Sequence, residues 1–345
     1  MTVLNEFYFD DTKDDYYRGD FLMKTSNSKT KVFAFLGAAF VLLIALMFTG
    51  CPNAAGGNSG GSITPSAPAD KTYTVGGISF TMKGIAAVTN GSVGDDSQSD
   101  NKVHTVSLTA YRIGETEVTQ ELWTAVMGVG NNPSNFKDAK NPVETVNWYH
   151  AIAFCNKLSI VCHLDPCYTV KDVDFNSLTF DEIPTKDDGK DSTEWNKANV
   201  DMSKNGFRLP TEAEWEWAAK GGEEYRWAGT DEADKLKDYA WYDVNSGNKT
   251  HEVKKKQSNG YELYDMSGNV WEWCWDWYGA LPNPLPADYP GADSGSDRVF
   301  RGGSWSNGAD NAARADRDYY DPDFGGDPDS SSYGNLGFRV AMSKN

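Results

Sequence analysis

Two kinds of chemistry are open to the side chains of this sequence: sulfur chemistry and polar recognition. Sulfur is carried by Cys51, Cys155, Cys162, Cys167 and Cys274. A thiolate is both a nucleophile and a ligand for soft metals. In an exported chain Cys162 and Cys167 are a candidate disulfide. Cys155 and Cys162, seven apart, share a helix face without being in bonding range. Buried free thiols are the preferred reading for most of the four that follow Cys51. The four histidines, His104, His150, His163 and His251, have no HxxxH-type spacing and read as surface or structural groups. Recognition chemistry concentrates in Ser306–Tyr333, a run of Asp, Asn, Ser, Gly, Ala and Tyr with almost no aliphatic residue. It has too little apolar surface to be core. Rigid, Gly-marked segments pin it at both ends: Arg298-Val-Phe-Arg-Gly-Gly-Ser-Trp305 and Gly334-Asn-Leu-Gly-Phe-Arg-Val-Ala341. Such a loop is a contact surface.

The elements that must hold this surface are legible upstream. Thr74–Met82 reads as an opening strand with a turn, and His104–Arg112 alternates in the same way. Thr119 caps a helix over Gln120–Met127 that Gly128 stops, and Asn147 caps another from Trp148 to about Leu158. Residues 165–200 read as irregular, with alternating patches such as Ser177–Phe180. Thr211 and Glu214 form a capping box opening the helix Glu212–Lys220, which Gly221-Gly222 ends. Tyr225–Gly260 reads as loop. Trp271, Trp273, Trp275 and Trp277 recur at period two, which suits a strand in a mixed core.

Composition bounds the rest. The net charge of −18 argues against nucleic acid as a partner, since phosphates would be repelled. Twelve Trp, 17 Tyr and 16 Phe supply a core, while 33 Gly and a mean hydropathy of −0.59 point to a loop-rich globular protein more than a helical bundle. Lys24, Lys29 and Lys31 precede the apolar run Val32–Phe48, which leads to Phe48-Thr-Gly-Cys51. This resembles a bacterial lipoprotein signal, with residues 23–50 removed and Cys51 lipidated. The lipid anchor implies the outer membrane or cell surface; a short transmembrane anchor is the alternative, and on either reading the remainder is exported. Residues 1–22 carry Asp10, Asp11, Asp14 and Asp15 and suit no signal, so Met23 is the expected start. Removal of residues 1–50 takes away 5 of the 32 basic and 6 of the 50 acidic residues, leaving the mature chain at −17. Residues 51–70 form a Gly/Ser/Pro/Ala tether, and 71–345 a single domain.

Six segments in order resemble the formylglycine-generating sulfatase-enzyme domain family. They are Glu115-Thr-Glu-Val-Thr-Gln120, Asn141-Pro-Val with Asn147-Trp148, Phe207-Arg-Leu-Pro-Thr-Glu-Ala-Glu-Trp-Glu-Trp217, Gly268-Asn-Val-Trp-Glu-Trp273, Arg301-Gly-Gly-Ser-Trp305 and Asn335-Leu-Gly-Phe-Arg339. The resemblance implies a C-type-lectin-like fold with long irregular insertions. Active members look to work through two cysteines after the Gly-Gly-Ser-aromatic motif, which bind copper. Those positions fall here at about Asn307 and Ala312, and no cysteine follows residue 274. Neither an amide nor a methyl group replaces a thiolate, so no copper is expected. The three-His iron site of the related sulfoxide synthases is also unmatched, so no iron is expected. The resemblance further implies structural Ca²⁺, with carboxylates from Asp265 and Glu272 and backbone carbonyls from Gly268 and Val270. Capping of local backbone by the same acids is the alternative. An enzyme of the sulfatase-modifying type with an unrecognised site remains the runner-up function.

A third branch of the fold, the variable proteins of diversity-generating retroelements, resembles this chain in its C-terminal layout. Adenine-directed mutagenesis in such systems leaves Lys, Glu, Gln, Trp and Met out of reach, and none of these five occurs from Ser306 to Tyr333. The resemblance implies a non-catalytic ligand-binding face. Its expected members are Trp305, Ser306, Asn307, Ala309, Asp310, Asn311, Ala313, Asp316, Asp318, Tyr319, Tyr320, Asp321, Asp323, Phe324 and Tyr333. The expected partner is an unidentified protein or glycan on another cell. Cys51 lipid is the expected contact with the membrane.

Overall fold

Lys71–Val75 (β1) and Ile78–Ile85 (β2) pair antiparallel about a turn at Gly76-Gly77, as the first alternating segment predicts. A computed structural model describes residues 66–185, 191–325 and 334–343. Residues 1–50, Cys51 and Tyr333 lie outside that range. Among the described residues no helix is long and apolar enough to cross a membrane.

The second alternating stretch is two strands where one was expected. His104–Leu108 (β4) pairs with Val88–Val93 (β3), while Tyr111–Gly114 (β5) lies between β2 and Ala341–Ser343 (β12). The break falls where Thr109 N donates to the Asp288 carboxylate at 2.7 Å and so leaves the ladder.

The helices start at their predicted caps. Thr119 Oγ1 accepts from Leu122 N at the head of Gln120–Met127 (α1), and Gly128 ends it at φ 99°. Asn147 and His150 form a capping box for Trp148–Val161 (α2), which runs three residues past the expected Leu158. Helix α2 is buried on nearly every side, so only tertiary packing could set its end. Residues 165–200 hold more structure than expected: Tyr168–Thr169 (β6) pairs with Asn199–Val200 (β7), and Asp191–Asn196 is helical (α3). The alternating Ser177–Phe180 patch leads into a 3-10 turn, Phe180–Glu182, where Glu182 caps Thr179 N at 2.7 Å. Glu212–Lys220 (α4) has both halves of its capping box. The stretch expected to be loop contains a four-residue helix, Leu236–Tyr239 (α5), whose Leu236 packs with Trp227 and Tyr242.

The site rests on a four-stranded sheet: Arg317–Tyr320 (β10), Arg298–Arg301 (β9), Trp271–Trp277 (β8) and Leu336–Gly337 (β11), in the order β10-β9-β8-β11. Strand β11 runs parallel to β8, and β10 and β11 are the two edge strands among the described residues. Both faces of β8 are buried. One carries Trp271, Trp273 and Trp275 into a core with Trp148, Phe154 and Phe338. The other carries Glu272, Cys274 and Asp276 toward α4, with Cys274 packed in a second core beside Trp215. Arg298 is held among indoles, its guanidinium 3.8 Å from the Trp148 ring and 3.3 Å from that of Trp277. This α+β arrangement of short helices, small sheets and irregular loops is the C-type-lectin-like fold that the resemblance implied.

Cys155, Cys162, Cys167 and Cys274 are free thiols, which corrects the candidate Cys162–Cys167 disulfide. Three of the four are buried, and burial pushes the Cys167 thiol up to about 11. Such thiols are inert.

Candidate functional site

The C-terminal run begins at a turn that only glycine could make. Gly302 and Gly303 sit at φ 98° and 72°, and a Cβ on Gly303 would lie 2.8 Å from Asn311 O. From there the backbone is held by groups that lie outside the run. Ser246 Oγ donates to Trp305 O at 2.7 Å, and Asp243 N to Asn307 O at 3.0 Å. Trp227 Nε1 reaches Ala309 O at 2.7 Å, and Ser267 Oγ reaches Ala312 O at 2.7 Å. Arg301 Nη2 donates to Arg314 O at 2.7 Å, and Asn101 Nδ2 to Ala315 O at 2.8 Å. Trp305 O and five carbonyls of the run thus depend on backbone position and on none of the run's own side chains.

Those side chains divide into two exposed stretches about a buried hinge. Ser306 and Asp310 are exposed, and Trp305, Asn307, Ala309 and Asn311 half-buried. Ala312, Ala313, Arg314 and Ala315 are then buried. Ala313 packs with Trp227, Leu236 and Tyr242, so its place on the expected contact face is corrected, as is the exclusion of the whole run from the core. Beyond the hinge, Asp316, Asp318, Asp323 and Phe324 are half-buried, and Tyr319, Tyr320 and Asp321 exposed. Asn311 Nδ2 ties the stretches together by donating to Asp316 Oδ2 at 3.3 Å.

The first stretch is stiffened by aromatic neighbours. Trp305 stacks edge-on against Phe136, with its Nε1 on Gly334 O at 2.6 Å. Asn307 Oδ1 accepts from Trp271 Nε1 at 2.9 Å and from Ser304 Oγ. The two positions where thiols would stand therefore hold an engaged amide and a buried methyl. In the second stretch the Tyr278 ring lies 3.7 Å from that of Tyr319 and 4.7 Å from the Arg317 guanidinium. Tyr278 thus contacts both side chains. Tyr320 stacks on Phe324 at 3.7 Å. A cleft of about 450 Å³ adjoins this column, walled by Asp100, His104, Tyr278, Leu281 and Asn283 among others.

Sequence reasoning missed Tyr278, Phe136, Trp227 and the loop at Asp243. Tyr278 directly follows the period-two tryptophans, and that break in alternation was its only signal. The others lie far away in sequence and carry none.

Charge is neutralised below the face and left open on it. Arg317 meets Glu212 through two contacts, of 2.6 and 2.8 Å, and Arg301 and Arg314 share Glu216 at 2.8 and 3.2 Å. Arg226 pairs with Asp310 at 2.8 Å. Asp316 and Asp318 have no Lys or Arg partner among the described residues. Burial, together with the neighbouring Asp318 and Asp100 carboxylates, pushes Asp316 up to about 6. Burial and Asp100 raise Asp318 as well.

Of the expected calcium ligands, Glu272 is otherwise engaged. Glu272 receives Arg339 Nε and Nη2 at 2.6 and 2.7 Å, with Trp215 Nε1 at 2.7 Å. Asp265 Oδ2 accepts from Lys254 N at 2.9 Å, while its Oδ1 is buried without a partner. Gly268 N donates to Gly302 O and Val270 N to Glu117, tying the motif to the base of the site. A guanidinium already holds both Glu272 oxygens, so this set does not fit a calcium ion. Among the described residues no group of three His, Cys, Asp or Glu is placed to hold a metal. His104, His150 and His251 each engage backbone near by.

Comparison with known proteins places these features. The chain is similar to a solved structure of Treponema denticola variable protein 1, at 55% identity and a TM-score of 0.74, over 80% of this chain and 100% of that one. It is 36% identical over 223 residues to a protein named chaperone protein LppX from Paenibacillus barcinonensis, covering 58% of this chain and 71% of that one. It is 38% identical over 169 residues to the formylglycine-generating enzyme of Streptomyces coelicolor, covering 43% of this chain and only half of the enzyme. Residues 64–344 match one family throughout. The chain belongs to the sulfatase-modifying factor enzyme 1-like domain family.

Proposed function

We propose that this protein is a surface-displayed lipoprotein, anchored through Cys51, that binds a protein or glycan of another cell through a C-terminal face diversified by a retroelement. The reading is non-catalytic. It is carried by one observation: donors outside the run hold the carbonyls of Trp305, Asn307, Ala309, Ala312, Arg314 and Ala315. Side chains can then change at the exposed positions while the backbone keeps its course. The likeness to a variable protein and the loss of both thiol positions support the same reading. Tyrosines offer rigid amphipathic area, and Asp, Asn and Ser offer adaptable hydrogen bonds.

The gene tests it. Adenine-rich codons are expected at Asn307, Asp310, Asn311, Asp316, Asp318 and Tyr319, with a near-identical non-coding copy beside a reverse transcriptase. Ordinary codons and no second copy would refute diversification.

A further inference from the structure

Strand β10 is an edge of its sheet among the described residues, yet it is poorly suited to adding another strand. Asp318 Oδ1 accepts the Tyr319 backbone N–H at 2.8 Å, capping a donor that an added strand would need. Contact at this edge must therefore run through side chains. Asp318 and Tyr320 alternate along one side of β10, with Asp316 two residues before Asp318. Tyr319 emerges on the opposite side, backed by Tyr278 and Arg317. Tyr319 and Tyr320 are 42% and 47% exposed.

From this the geometry points to a specific partner for this version of the face: a polypeptide whose basic side chains, arginine above lysine, seat against Asp316, Asp318 and Tyr320. The inference rests on the proposed reading that the C-terminal run is the binding face. Three observations carry it. First, Asp316 and Asp318 are half-buried carboxylates with no Lys or Arg ion-pair partner among the described residues, whereas Arg226, Arg314 and Arg317 are already paired. Second, the exposed Tyr320 ring shares their side of β10, and a planar guanidinium can stack on a ring while hydrogen-bonding a carboxylate. Third, a strand presents alternate residues about 7 Å apart, the interval at which another extended chain presents its own. A chain carrying −18 overall also attracts such a segment from a distance.

The test is calorimetric binding of the purified protein to a short peptide of alternating Arg and Ser at physiological ionic strength. Lys/Ser and Gln/Ser versions and a neutral dextran oligosaccharide serve as comparisons. The Arg peptide is expected to bind more tightly than the Lys peptide, with no binding by the Gln peptide. Tyr320→Ala is expected to weaken binding about tenfold, the size of a partly desolvated cation–π contact. Asp318→Asn should weaken it several-fold, while Tyr320→Phe and Asp172→Asn, the latter an exposed acid outside the face, should leave it unchanged. If Asp172→Asn weakens binding as much as Asp318→Asn, attraction is bulk charge alone and the inference fails. If dextran binds in a Tyr320-dependent way and the peptide does not, the partner class is wrong while the face stands. If neither probe binds, the inference also fails, and the codon test judges the face independently.

Discussion

Glu272 illustrates how one residue can look like a ligand and be a strut. Its carboxylate faces Arg339 and Trp215, all but removed from solvent. The sequence marked the Gly268–Glu272 turn correctly as a fixed point but could not reveal that Arg339, 67 positions later, arrives to neutralise it. Long-range ion pairing has no local signature. Breaking a buried pair by removing one partner costs about 3–5 kcal/mol. Arg339→Gln is therefore expected to lower unfolding stability by that order in denaturant titration. Chelation should leave the melting temperature of the unaltered protein where it was. A drop on chelation, reversed by added Ca²⁺, would restore the calcium reading.

At the scale of elements, the caps were the most legible features. Thr119, Asn147 and Thr211 each sit where a short polar side chain precedes an apolar period, and each starts its helix as expected. The alternation of β8 was legible too, but not that its second face is also buried. That face brings Asp276 beside Glu212. Burial and the Glu212 carboxylate push Asp276 from its ordinary 3.8 up to about 8. The folded chain thus holds this proton up to about pH 8, whereas the unfolded chain releases it near 3.8. Stability should rise as pH falls from 8 to 6.5, because the folded state binds more protons there. Asp276→Asn keeps an oxygen for Glu212 N, which donates to Asp276 Oδ2 at 2.8 Å, and should flatten the slope. Thermal unfolding across that range measures it, and an unchanged slope in the variant would assign the effect elsewhere.

The molecule as a whole divides labour between frame and face. Ordered family motifs made the fold legible, because turns, caps and the tryptophan strand are written locally. The face was legible in outline only. A run poor in aliphatics suggested one continuous surface, yet three alanines and a paired arginine turn its middle inward. Small residues give no sign of burial until a neighbour such as Trp227 closes over them. On this division the frame, not the face, sets the backbone. Thermal unfolding of a chain in which the exposed Asp310, Tyr319 and Tyr320 are replaced together by Ser tests this. Exposed substitutions away from core and caps each change stability by less than about 0.5 kcal/mol, so the melting temperature should fall by only a few degrees. Loss of the cooperative transition in that variant would contradict the account.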